Sequence, residues 1–441
     1  MKKSLFLMLI NLTLILPSIL FAQTNIDTIV TLKQCVDYAL RNQPAVRQAS
    51  IDQQINEKDI RIGLSAWLPQ VSSVNQYQYY FKGSPPVVAL APVVSGLVNN
   101  QYSLLNLQAS QVIYNSDVVQ AAKAAKYSRL YYQQNTLSSQ INVVSDVSKA
   151  FFDVLLSQKQ LDILNEDVIR LRRSLKDAYD KYQAGTTDKT DYKQATISLN
   201  NSIAARKQTA ESINSKFAYL KQIMGISASH NLVLTYDSTH FEQAAYIDTN
   251  QKLDLNNRIE HRLLQTQKNL LNINVLYYKL GFLPTLSAVG AYNWYYLSSR
   301  FSNLYNQSYP NAYAGLTLDI PIFQGTKRLQ NLSKARLQVD RTDIDIVNSE
   351  NTINTEYVQA LADYKSSYAN WAVVKQNVDL AQDVYKIITL QYREGVKTYL
   401  DVIVAQSGLR TAELSYYNAL FQLLSSKVDL EKSLGILAVP Q

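Results

Sequence analysis

Side chains able to do acid–base, metal or nucleophilic chemistry are few in this chain and badly spaced for it. His230, His240 and His261 show no metal-ligand spacing, and neither a nucleophile motif nor a Gly-rich phosphate loop occurs. The single Cys35 rules out an internal disulfide framework and reads as a small buried residue, while His261, between Arg258 and Arg262, reads as solvated. An enzyme is therefore disfavoured, and no cofactor is expected. The polar residues that do recur come in pairs. Tyr182, Gly185 and Asp191 reappear in register as Tyr392, Gly395 and Asp401, Ala195 and Leu199 as Ala405 and Leu409, and Gly225 as Gly435. The chain carries an internal duplication.

The elements leading into each copy must hold these residues in place. One apolar seam runs through Val147, Ala150, Val154, Ser157, Leu161, Leu164, Val168, Leu171, Leu175, Ala178 and Tyr182, in steps of three and four. Its partner runs from Tyr357 through Tyr364, Trp371, Val378 and Tyr385 to Tyr392. A mean period near 3.5 residues keeps one helix packed along another over a long distance. Each long helix then meets Gly185 or Gly395, where the chain turns at little steric cost into a second helix. Asp191 and Asp401 sit where a return helix begins, which is itself a favourable place for a carboxylate.

Composition agrees with long helices: 441 residues contain only 12 Gly and 10 Pro. Residues 1–22 have a charged start, an apolar run and a possible cut after Ala22, the pattern of a secretory signal peptide. The formal charge of +8 is spread thinly, and no basic run alternates with an aromatic platform, so nucleic acid is not an expected partner. Thr31 is placed to cap a short helix with Leu32, Cys35, Val36 and Ala39 on one side. Pro44 suits the first turn of the next helix, which runs to about Trp67.

After Leu68-Pro69 the period changes to two, with Val71, Tyr77, Tyr79 and Phe81 opposite Gln70, Gln76 and Gln78. A loop with Gly83, Pro85, Pro86, Pro92 and Gly96 leads to a second alternating run through Leu105, Leu107 and Ile113. Phe282-Leu283-Pro284 repeats the entry. Leu286 to Tyr296 forms a third strand and, after a loop through Pro310, Ala314 to Ile322 forms a fourth. The expected organisation is a leader (1–22), a first repeat (23–226), an irregular external connector (227–250), a second repeat (251–436) and a tail (437–441). Strands fall near 69–82, 102–114, 284–297 and 312–323. The fold class is mainly α with a membrane β-barrel portion. Strands of this length with one apolar face suit a tilted crossing of a hydrocarbon core, but four cannot close a barrel, so a membrane role requires oligomerisation.

With these motifs assembled, the chain resembles the TolC family of outer-membrane channel proteins over nearly its whole mature length. The resemblance rests on Thr31-Leu32 through Asn42-Gln43-Pro44, the two Leu-Pro strand entries, and Tyr392-Arg393-Glu394-Gly395-Val396-Lys397-Thr398-Tyr399-Leu400-Asp401-Val402 with Ala405-Gln406. Leu434-Gly435-Ile436 completes it. It implies a homotrimer whose twelve strands form one barrel in outer-membrane lipid and whose helices form a tunnel across the periplasm. It further implies a passive conduit for an inner-membrane pump and a periplasmic adaptor, in efflux or type I secretion. At the tip it implies a gate in which Lys397 faces Asp191 and Tyr392 faces Thr190, with Asp401 as a pore constriction. Lys397→Ala combined with Tyr392→Phe is then expected to raise conductance. The competing class is a periplasmic coiled-coil adaptor or scaffold without a pore, which the paired alternating strands argue against.

Overall fold

The computed structural model describes residues 29–82, 99–235 and 238–440, so the expected signal peptide and the apical loop with Gly83, Pro85, Pro86, Pro92 and Gly96 lie outside the described residues. The first half runs β1 (Ile29–Val30), α1 (Leu32–Asn42), α2 (Pro44–Ser65), β2 (Gln70–Tyr79), β3 (Gln101–Tyr114), α3 (Ser116–Gln183) and α4 (Lys189–Met224). A linking segment holds β4 (Val233–Leu234) and α5 (Ser238–Ala244). The second half runs α6 (Ile259–Leu280), β5 (Thr285–Ser298), β6 (Ser308–Asp319), α7 (Lys327–Arg393) and α8 (Tyr399–Leu434). Thr31 caps α1 as expected: its hydroxyl accepts from the Gln34 amide, and the Gln34 side chain accepts from the Thr31 amide at 2.8 Å. Pro44 opens α2, which stops at Ser65, two residues short of the expected Trp67.

Helix lengths explain the packing. α3 and α7 have 68 and 67 residues, about 100 Å each, while α2 and α6 have 22 and α4 and α8 have 36. Two shorter helices therefore lie end to end along each long one: α2 then α4 on α3, and α6 then α8 on α7. Asn56 meets Ser128, and Glu57 accepts from Arg129 at 2.7 Å, which fixes the α2–α3 register near the sheet. The seam from Val147 to Tyr182 is buried or half-buried throughout. Its partner on α7 is mostly half-buried, because a second apolar stripe on that helix, including Leu380, Val384, Ile387 and Leu390, faces away from the chain's own core.

The strands form one antiparallel sheet in the order β2-β3-β5-β6. The central β3–β5 ladder joins the two halves, with Asn106 donating to Asn293 at 2.6 Å. Three strand limits differ from expectation. β2 ends at Tyr79. β6 starts at Ser308, so that Pro310 lies inside it opposite Trp294 rather than in a loop. Proline is tolerated there because β6 is an edge strand with one side unpaired. β6 also ends at Asp319, before Pro321, which leaves Ile320 and Ile322 outside the strand.

The connector between the halves is a larger correction. It does not lie irregularly on the outside: β4 pairs in parallel with β1, and Leu232, Leu234, Phe241, Ala245 and Ile247 are buried in the main core with Phe151, Phe152 and Phe421. The Tyr364 hydroxyl secures it, donating to the Ala245 carbonyl at 3.0 Å and accepting from the Ile247 amide at 3.1 Å. Cys35 is fully buried as expected, and burial pushes its thiol up to about 12. His261, expected in solvent, is buried between α6 and α7, with Nδ1 3.8 Å from a Glu350 carboxylate oxygen. Its neighbour Arg258 is buried too, held by Glu356 at 2.7 Å and the Ser433 carbonyl at 2.9 Å.

The duplication is also visible where the return helices end. Gly225 and Gly435 both have φ near +70°, and a Cβ on either would lie 2.7 Å from the Asn42 carbonyl oxygen or 2.6 Å from that of Asn257. Each half thus closes its last helix onto the residues just before the helix that leads to its strands, α2 or α6, and only glycine satisfies both the conformation and the approach.

Candidate functional site at the helical tip

Both hairpins turn where expected. Gly185 and Gly395 adopt φ of 72° and 76° with open space around the Cβ position, so conformation alone selects glycine there. Thr186 donates back to the Lys181 carbonyl at 3.0 Å, and Val396 to that of Gln391 at 2.8 Å. The two turns then diverge through one residue. α8 begins with Thr398, whose hydroxyl accepts from the Asp401 amide, while the Asp401 carboxylate accepts from the Thr398 amide at 2.9 Å and its hydroxyl at 2.8 Å. α4 begins with Asp188 instead, which accepts from the Thr190 amide at 3.1 Å and the Thr190 hydroxyl at 3.3 Å. The Asp188 carboxylate bonds the Thr190 amide rather than that of Asp191, and a second carboxylate turned back towards the cap would be repelled by it, so no reciprocal box forms.

Asp401 is consequently engaged at its own helix start. Its carboxyl is held below the ordinary range first by the Thr398 amide, then by the Thr398 hydroxyl, with Lys397 adding to the effect. Asp191, the matching residue, is half-buried, and its carboxylate makes no hydrogen bond or ion pair among the described residues.

Between the turns sits a small aromatic core shared by the two hairpins. Tyr392 is 9% exposed and Tyr399 2%, with ring centroids 5.8 Å apart, packed against Ala178, Ala195 and Val402. The Lys181 ammonium lies 3.8 Å from the centroid of the Tyr392 ring, a cation–π contact from the first hairpin to the second. The Tyr392 hydroxyl has no hydrogen-bond partner among the described residues. Its titration is pushed up by burial, then by the charges of Asp191 and Asp177. Neither expected gate pair is present within the single chain. The Thr190 hydroxyl is taken by Asp188, and Lys397 is exposed without an ion pair among the described residues. What the structure does bring together is Lys181, Tyr392 and Tyr399.

Farther from the tip lies a polar hub outside the expected seam residues. Asp167 on α3 is 1% exposed and accepts from Ser202 of α4 at 2.9 Å and from Gln406 and Arg410 of α8 at 3.0 and 3.3 Å. Arg170, 3.9 Å away, continues to Glu413 at 3.5 Å, whose carboxyl is pushed up chiefly by burial. Asp167 falls in line with Ile163 and Leu171 on the buried face, and that placement was the available signal. Among the described residues no group of His, Cys, Asp and Glu could hold a metal ion, and no helix is long and apolar enough to cross a membrane.

The chain is thus a duplicated helical hairpin on an open antiparallel sheet of four strands, with apolar residues exposed on that sheet. The outer membrane efflux protein family model matches residues 35–226 and 277–436, and the chain belongs to that family. Outer membrane protein TolC of Vibrio cholerae is 21% identical over 412 residues, 92% of this chain and 91% of that protein. The toluene efflux pump outer membrane protein TtgI of Pseudomonas putida is 22% identical over 78% of this chain and 73% of its own length. The fold matches the outer membrane protein VceC of Vibrio cholerae (TM-score 0.73, 15% identity, 92% of this chain and 96% of that one). It also matches the Campylobacter jejuni CmeC outer membrane channel (TM-score 0.74, 18% identity, 92% and 86%). The protein is an outer-membrane efflux channel whose helices extend into the periplasm.

Proposed function

We propose that three copies of this chain assemble into one channel, that an inner-membrane pump and a periplasmic adaptor feed it, and that the helical tip is its gate. One observation carries the assembly: β2 and β6 each keep an unpaired edge, and a strand edge left open in lipid strands backbone groups that nothing can satisfy. The exposed apolar stripe on α7, with Leu380 and Ile387 more than half exposed, supports the same reading, because it offers a second seam to a neighbouring copy. Adaptor and pump follow from relatives named as parts of efflux pumps. The channel itself supplies no energy and conducts passively.

At the tip, the Lys181–Tyr392–Tyr399 core clasps the hairpins within each copy. Lys397 and Asp191, without an ion pair among the described residues, reach each other between copies, and the Asp191 charge acts on the Tyr392 hydroxyl. A single Lys–carboxylate pair at a wet surface is weak, roughly 1 kcal/mol or less, so a docking partner can break it. Asp401 forms a pore ring of reduced reach, since one of its oxygens is committed to Thr398. The test is native mass spectrometry of the detergent-extracted protein followed by single-channel recording. A trimer with steady conductance that rises in Lys397→Ala supports the reading. A monomer without conductance overturns it.

A further inference from the structure

Where the strands meet the helices, a cavity of about 240 Å³ opens between the starts of α3 and α7 and the end of α6, large against the roughly 30 Å³ a water occupies. Its lining carries charges of both signs: Asp117 and Asp319 on one hand, Lys327 and Arg328 on the other. No ion pair joins these four among the described residues, although opposite charges around so small a space would ordinarily find each other. The Ser116 hydroxyl, on a residue 4% exposed that also lines the cavity, has no hydrogen-bond partner among the described residues. Thr326, at the start of α7, makes no side-chain cap, which leaves the first amides of that helix without a side-chain acceptor.

Arg328 is held in place as a wall. It donates to the Gly281 carbonyl and, at 2.9 Å, to Gln324, and its guanidinium lies 5.5 Å from the Phe282 ring centroid. Around the mouth the surface is apolar: Ile322 and Phe323 are 92% and 86% exposed, and Leu283 and Ile320 are exposed beside them. Strands that cross the membrane put this junction at its periplasmic face, at the depth where headgroups meet acyl chains.

We propose that this cavity binds the headgroup of a zwitterionic phospholipid carrying ethanolamine, one per chain. The phosphate would be met by Lys327, the amides opening α7 and Ser116, the ammonium by Asp319 and Asp117, and the acyl chains by Ile322 and Phe323. The pairing of two carboxylates with two cations selects this headgroup over an anionic one, which would bring a phosphate but no ammonium to the carboxylates.

The experiment is native mass spectrometry of delipidated, detergent-extracted protein titrated with phosphatidylethanolamine or phosphatidylglycerol. The ratio of lipid to chain is read directly, whatever the assembly, and the oligomer mass in the same spectrum reports folding. The expected result is one retained lipid per chain with phosphatidylethanolamine preferred. Lys327→Gln should weaken both lipids by about tenfold, the scale of one hydrogen bond to a charged group, and Asp319→Asn should weaken phosphatidylethanolamine alone. Neither side chain supports another residue through a hydrogen bond among the described residues, unlike Arg328. Equal retention of both lipids, no retention by the intact protein, or an Asp319→Asn protein that still prefers ethanolamine would overturn the assignment.

Discussion

Replacing Tyr392 with Phe and with Ala should move the channel in different directions. Phenylalanine keeps the ring under the Lys181 ammonium and against Tyr399, and removes only a buried hydroxyl that has no hydrogen-bond partner among the described residues. An unpaired buried hydroxyl costs on the order of 1–3 kcal/mol, so its loss is neutral or tightens the clasp. Alanine removes the ring, and a buried aromatic truncation costs roughly 3–5 kcal/mol, of which about 1 kcal/mol belongs to the cation–π contact. The Tyr392 ring touches both hairpins, so about half of that, near 2 kcal/mol, holds one hairpin to the other. Losing it shifts the closed-to-open equilibrium of each chain by roughly 30-fold. Lys181→Met, which keeps the apolar stem, should shift it by about fivefold. The assay is open probability in planar-bilayer recordings at fixed voltage, with thermal unfolding as a control for assembly. If Tyr392→Phe opens the channel as far as Tyr392→Ala, the ring is not the clasp. The hydroxyl, bonded to a neighbouring copy, then holds the gate, as the sequence resemblance implies.

Three further outcomes follow from the packing. Gly435→Ala combines a left-handed backbone penalty of about 1–2 kcal/mol with overpacking of about 1–3 kcal/mol against Asn257, whereas Gly395→Ala incurs only the first. Thermal unfolding followed by circular dichroism should therefore rank Gly435→Ala well below Gly395→Ala. Asp167→Ala leaves Arg410, Gln406 and Ser202 without their shared acceptor and should destabilise by about 3–5 kcal/mol in urea titrations, with Asp167→Asn losing less. Glu413 has its folded pKa raised by burial, so ionising it opposes folding. That cost is absent below the ordinary glutamate range and fully present once the pH passes the raised value. Glu413→Gln should thus gain stability over the parent at pH 7, with the gap closing as the pH falls towards 4.

The long elements were legible because their periods are long and clean. Seven-residue seams ending at Gly185 and Gly395, and period-two runs entered through Leu-Pro, each identify one kind of secondary structure. The pieces that escaped lack a period. In residues 227–250 the buried positions are scattered among polar ones, and only the pocket formed by Phe151, Phe152 and Phe421 reveals why Phe241 and Ile247 turn inward. His261 reads as solvated from its charged neighbours, yet tertiary packing buries it with Arg258, beside Glu350 and Glu356. Pro310 reads as part of the loop before the fourth strand, although it lies within β6 opposite Trp294. At the tip, both turns were readable. The contacts were not, because the Asp188-for-Thr398 difference changes what Asp191 is free to do, and the proposed gate between copies would leave no trace in one chain.

The two bare strand edges carry a consequence for inheritance. A chain that can complete its sheet only with siblings is exposed to their defects: in the proposed trimer, a substitution that spoils the outer side of β2 or β6 interrupts the ladder for every copy in that barrel. Cells making intact and damaged chains together would then hold few barrels drawn wholly from intact ones. Such alleles should behave as dominant, whereas lesions confined to a tip turn should act in proportion to the number of copies that carry them.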